Sequence, residues 1–134
     1  MDNYRDWNKK FKVESEINSS KETIRYFEKV NNSSFKKNID SAKKIEELLL
    51  KKQQLIYDFE NKFGITFDQA IEYVENSDNP NGDFNLKEFN EIMAIDDEIN
   101  GEKFLIYQNN KSIANNKNVI TEINEWIEKI SENE

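Results

Sequence analysis

The chain has no cysteine and no histidine, one proline and three glycines in 134 residues. Without cysteine there is no disulfide, thiolate metal site or thiol nucleophile. Without histidine there is no Ser-His-Asp triad, no imidazole general base and no histidine-ligated metal. With so few helix breakers, long uninterrupted helices are permitted. Long apolar runs are also missing. The longest are Leu48-Leu49-Leu50 and Phe104-Leu105-Ile106-Tyr107, far short of the ~20 residues a membrane helix needs. The N-terminal MDNYRDWNKKFK has no apolar stretch, so neither a signal peptide nor a membrane partner is expected and a cytoplasmic location is.

What is present suffices for a folded domain. Leu, Ile, Val and Phe make up 35 residues, well above the ~20% level that marks disorder. Twenty asparagines and seventeen lysines stand beside two arginines and four alanines. This mix reads as a codon bias, which assigns most asparagines to surface and turns. The net charge of -8 conceals a division. Residues 1–62 carry 14 basic and 11 acidic residues, a charge of +3, and residues 63–134 carry 5 and 16, a charge of -11. The stretch 63–102 alone holds eleven carboxylates against Lys87.

Hydrophobic periodicity predicts an all-α single domain spanning 1–134, with five to seven helices around one long spine. The spine is predicted over 35–63, where Phe35, Ala42, Leu49, Ile56 and Phe63 recur every seven residues and Ile45, Leu48, Leu55 and Phe59 beside them complete an apolar wedge. Gly64 stands where a left-handed residue ends a helix. Thr66 and Gln69 have capping-box spacing at the start of a second helix, which is expected to stop near Asn76. Asn85 and Glu88 form a similar box for a third, with Phe84 and Phe89 as its staple and Gly101 as its end. Ser19 and Glu22 mark a separate helix over 19–30, and Val119 to Ile130 the last. Alternation over 11–17 and the run 104–108 leave room for one small β-hairpin.

Two constellations could carry function. The loop Ser77 to Glu88 resembles the calcium loop of the EF-hand family. Aligned on Gly82, Asn79, Asn81 and Asp83 fall at ligand places and Glu88 at the bidentate twelfth. Ser77 occupies the first place, where that family has aspartate, and Asp78 lies one residue later. The resemblance implies calcium bound by Asp78, Asn79, Asn81, Asp83 and Glu88. The alternative is a plain connection in which Glu88 serves the Asn85 cap. No other cofactor is expected. The second constellation is the acidic set Glu72, Glu75, Glu91, Asp96, Asp97, Glu98 and Glu102, suited to steering a positively charged partner. The lysines Lys36, Lys37, Lys43, Lys44 and Lys51 are set against this acidity within the same chain, so nucleic acid is not expected as a partner.

No phosphate-cradling glycine loop is present, and Glu60-Asn61-Lys62 lies inside the predicted spine rather than on a strand. The expectation is therefore a non-enzymatic, acidic interaction domain. It would bind and neutralise or chaperone a specific basic protein, as immunity proteins, phage-type inhibitors and secretion chaperones do. A calcium module, or an assembly component oligomerising through the long helix, are the alternatives.

Overall fold

The structure, a computed structural model, describes residues 2–76 and 86–132, with side chains over 7–76 and 87–132. Three helices account for nearly all of this: α1 (Asp2–Phe63), α2 (Phe67–Asn76) and α3 (Leu86–Glu132). The all-helical class holds. The count of five to seven helices does not, and no strand occurs among the described residues.

The extra boundaries fail for local physical reasons. The Ser19–Glu22 box lies in mid-helix, where the Thr23 hydroxyl donates to the Ser19 carbonyl, 3.2 Å away. Such back-bonding within a helix starts nothing. Residues 30–35 contain no proline or glycine, so α1 runs through them. Gly101 lacks a positive φ, and a helical glycine costs only about 1 kcal/mol relative to alanine, so α3 continues. In 11–17, Val13 and Ile17 are half-buried while Phe11 and Ser15 are exposed. That is the four-residue step of a helix face, not strand alternation. The run 104–108 is likewise part of α3.

The joint between α1 and α2 follows the sequence closely. Gly64 adopts φ 68°, a left-handed value that glycine takes without a Cβ penalty. Its N–H donates to the Glu60 carbonyl at 2.9 Å. The capping box forms in both directions: Gln69 N–H to Thr66 Oγ1 at 3.1 Å and Thr66 N–H to Gln69 Oε1 at 3.0 Å. Glu60 adds a second cap, accepting from the Phe67 N–H at 2.8 Å. A carboxylate there also complements the helix dipole. The Asn85 cap and the Phe84 staple lie outside the described residues.

Packing divides the chain into two compact units, Met1–Asn38 with Tyr107–Glu134, and Ile39–Ile106. In each, segments of α1 and α3 run antiparallel. In the Ile39–Ile106 unit, α1 turns Ser41, Ile45, Leu48, Lys52, Leu55 and Phe59 inward, with Ile56, Glu60 and Phe63 half-buried beside them near α2. The inward residues alternate in steps of four and three, those of a coiled-coil seam. From α3 they meet Phe89, Ile92, Ile95 and Ile99, all buried. At one end, α2 lays Phe67 and Ala70 on Phe59, Phe89 and Ile92. The rings of Phe59 and Phe67 meet edge to face, with centroids 5.6 Å apart, and Phe67 and Phe89 stand at 5.4 Å.

The expected spine row is therefore off the seam. Phe35 and Leu49 are each 44% exposed, whereas Leu48 and Phe59 are buried. The row Phe35 to Phe63 is the flank of the wedge. Only its end is covered, where Ile56 and Phe63 pack beside α2.

In the unit of Met1–Asn38 and Tyr107–Glu134, the same steps place Ile24, Phe27, Asn31, Ser34 and Asn38 inward. Opposite them lie Asn109, Ile113, Asn116, Ile120 and Ile123. Asparagines thus stand within the seam. Asn116 Nδ2 donates to Asn31 Oδ1, Asn109 Nδ2 to Asn38 Oδ1, and Asn38 Nδ2 to Asn110 Oδ1, each at 2.9 Å. Asn31 is only 5% exposed. Most asparagines among the described residues are exposed, as expected; Asn31, Asn38, Asn109 and Asn116 are the exceptions. Paired amides in a seam fix which residues face each other, because any slip leaves a buried amide without its partner.

Candidate functional site

The seven carboxylates expected to form one binding face separate into two groups. The division follows helix geometry. Ile92, Ile95 and Ile99 fix the inward side of α3. At about 100° per residue, Asp96 and Glu102 fall at the edges of that side and Asp97 on the outside. Asp96 is bonded to Lys52 of α1. Glu102 lies 3.1 Å from the Lys44 ammonium. Glu88, in the first turn of α3, is bonded to Lys62. Glu72, Glu75, Glu91, Asp97 and Glu98 are exposed, and none makes an ion pair among the described residues. Glu72 and Glu75 project from α2, and Glu91, Asp97 and Glu98 from α3, so they do not converge on one point.

Part of the acidic segment is thus answered by the lysines of α1, but only Lys44 of the five expected lysines takes part. Lys36, Lys37, Lys43 and Lys51 are exposed. Lys52, which interrupts the apolar pattern of α1, takes a seam position and reaches Asp96. Each of these ion pairs is partly open to water, where such pairs contribute about 0–1 kcal/mol. They set partner and register more than they stabilise.

Glu102 is the best-held carboxylate. The Ser41 hydroxyl donates to it and the Lys44 ammonium bonds it; together they hold its carboxyl below the usual glutamate value, against the upward push of partial burial. Ser41 itself is buried. Because the folded value is lowered, the stabilisation is fully present above the ordinary glutamate pKa. It is lost as pH falls from there through the lowered value. Ser41→Ala is expected to return the Glu102 pKa upward and to make the acid-side loss of stability shallower. A carboxyl-resolved NMR titration of both chains checks this; an unmoved Glu102 pKa would remove Ser41 as the main cause.

Of the residues assigned to calcium, Asp78, Asn79, Asn81 and Asp83 lie outside the described residues. Glu88 is described, and it is engaged by Lys62. A cation taking both Glu88 oxygens would have to displace that ammonium. Asp58, Glu88 and Glu91 line one hollow of about 180 Å³ with Lys62, so the one cation already there sits among three acids. Among the described residues no group of three or more acidic side chains is arranged to hold a metal ion. Glu72 lines a second, open depression with Gln69, Tyr73 and Asn76. No helix among the described residues is long and apolar enough to cross a membrane. No protein-family model, curated protein or solved structure matches the chain.

Proposed function

We propose that the chain is a non-enzymatic interaction domain that captures a basic protein partner, to neutralise or chaperone it. The supporting observation is the division of the carboxylates. Glu88, Asp96 and Glu102 are engaged by Lys62, Lys52 and Lys44. Glu72, Glu75, Glu91, Asp97 and Glu98 stand exposed, with no cation bonded to them among the described residues. Exposed like charges on two helices raise the local potential and steer a positively charged surface to them. Their spread suits an extended basic segment better than a small ligand, which needs groups converging on one pocket.

Glu91→Lys, Asp97→Lys and Glu98→Lys together are expected to abolish partner capture from a lysate of the host while leaving helicity intact. Proteins retained by the native chain and lost from the variant, with retention falling as salt rises, support the reading. An identical retained set for the two chains contradicts it.

A further inference from the structure

The two units are nearly equal in length but not in core. Among the described residues, every buried side chain except Asn31 and Ile113 belongs to Ile39–Ile106. Both apolar clusters lie there, and so do the ion pairs that join α1 to α3. In the unit of Met1–Asn38 and Tyr107–Glu134, the apolar seam residues Ile17, Ile24, Phe27, Ile120 and Ile123 are only half-buried. Two helices alone cannot shut a seam from water. α2 closes the seam of Ile39–Ile106 as a third helix and has no counterpart here among the described residues. The middle of this seam is polar instead, with Asn31, Ser34 and Asn38 opposite Asn109 and Asn116. Its polar links across the seam are the asparagine bonds and the Lys117 ammonium, 5.6 Å from the centre of the Phe35 ring. An amide released to water regains hydrogen bonds there, so closing the pair gains little beside closing an apolar pair of the same size. Yet the amides still reward a single register. A weakly held seam with one closed form has the properties of a reversible latch.

We infer that this asparagine-seamed unit is a two-state latch. Its segments of α1 and α3 part in one opening while Ile39–Ile106 stays folded. Once parted, each segment is a lone helix rich in asparagine and isoleucine, which its own propensity sustains poorly. Its backbone amides then exchange with solvent. Parting also frees Ile24, Phe27, Ile113, Ile120 and Ile123 together, so the unit holds an apolar strip that is shown only while it is open. The inference does not rest on the carboxylate reading.

Hydrogen exchange of the full chain at residue resolution, over a range of low denaturant concentrations, tests it. Amides around Asn31 and Ile113 are expected to exchange roughly a hundredfold faster than those around Leu48 and Ile95, and alike on both helices. Their rates should depend less on denaturant, because the opening exposes less surface than global unfolding does. Asn116→Ala should speed exchange on both sides of this seam roughly tenfold, by leaving the buried Asn31 amide without its partner. Phe59→Ala should speed exchange around Leu48 and leave that around Asn31 unchanged, since the latch opens without disturbing Phe59. Ile95→Val, a milder change in the same unit, makes the same comparison should Phe59→Ala fail to fold. Equal protection in the two units, a smooth gradient from the chain ends with no common opening, or core substitutions in Ile39–Ile106 that speed both units alike would overturn the inference.

Discussion

Phe59→Ala is expected to lower stability by about 3–5 kcal/mol, a large part of what a domain this size has in total. Phe59 is 2% exposed and lies in one buried cluster with Phe67 and Ala70 of α2 and Phe89 and Ile92 of α3. Its ring centroid stands 4.7 Å from that of Phe63 and 5.6 Å from that of Phe67. α2 is only ten residues long, too short to be stable alone. It is held by its caps and by burial of Phe67 and Ala70. Removing the Phe59 ring opens a cavity under α2 and removes its aromatic partner at once. Denaturant unfolding followed by circular dichroism gives the loss, and hydrogen exchange at the α2 amides shows where it falls. The α2 amides should exchange faster than those of the seam around Leu48. A loss below about 1 kcal/mol, the size of an exposed-site effect, would mean that Phe59 does not organise the joint.

How much of this was legible in the sequence depends on what kind of signal each feature left. The α1–α2 joint was readable residue by residue. Gly64, Thr66 and Gln69 are local devices whose chemistry works within one turn, and each does in the structure what its type predicts. The length of α1 was not readable in the same way. A capping pair such as Ser19 and Glu22 looks the same whether a helix starts there or runs through. What decides is whether the flanking turn is supported by packing. Here inward positions continue on both sides of Ser19, at Ile17, Ser20 and Ile24.

The seam is legible only in part, for a related reason. Ile45, Leu48, Leu55 and Phe59 stand out as part of the wedge, but the row Phe35 to Phe63 beside them is equally apolar and mostly exposed. The true inward positions upstream of Ile45 are Ser41, Asn38, Ser34 and Asn31, which no hydrophobicity pattern marks. Stepping upstream from Ile45 by four and three would have found them, provided the seam register was already fixed. The candidate site was half legible. The acidic residues stand out in the sequence, but whether each one faces lysine or water depends on the seam. Asp96 and Asp97 are neighbours in sequence with different surroundings.

The asparagine pair supports the second large effect. Asn31→Leu alone is expected to destabilise by about 1–3 kcal/mol, because Asn116 then loses the group its amide reaches. Asn31→Leu with Asn116→Leu is expected to reverse the sign. Two apolar side chains in the seam should exceed the native pair by about 2 kcal/mol and raise the melting temperature by roughly 5 °C. The gain should come with a loss of uniqueness, seen as additional amide resonances from this unit, since nothing polar then penalises a slipped pairing. Thermal melts of the four chains of the cycle give the coupling energy directly. A double variant no more stable than the single one would show that the amides are not a paired element of the seam.

Under the proposed function the seven carboxylates have two roles, settled by the side of α3 or α2 on which each stands. Capture of a basic protein, compared across two variants, separates those roles. One variant reverses the outward acids, Glu91→Lys, Asp97→Lys and Glu98→Lys. The other neutralises the two inward ones, Asp96→Asn and Glu102→Gln, together with Glu88→Gln, the third acid bonded to a lysine of α1. The first is expected to lose capture and keep its melting temperature, whereas the second keeps capture and melts lower. Loss of capture in the second variant with retention in the first would contradict that division of roles.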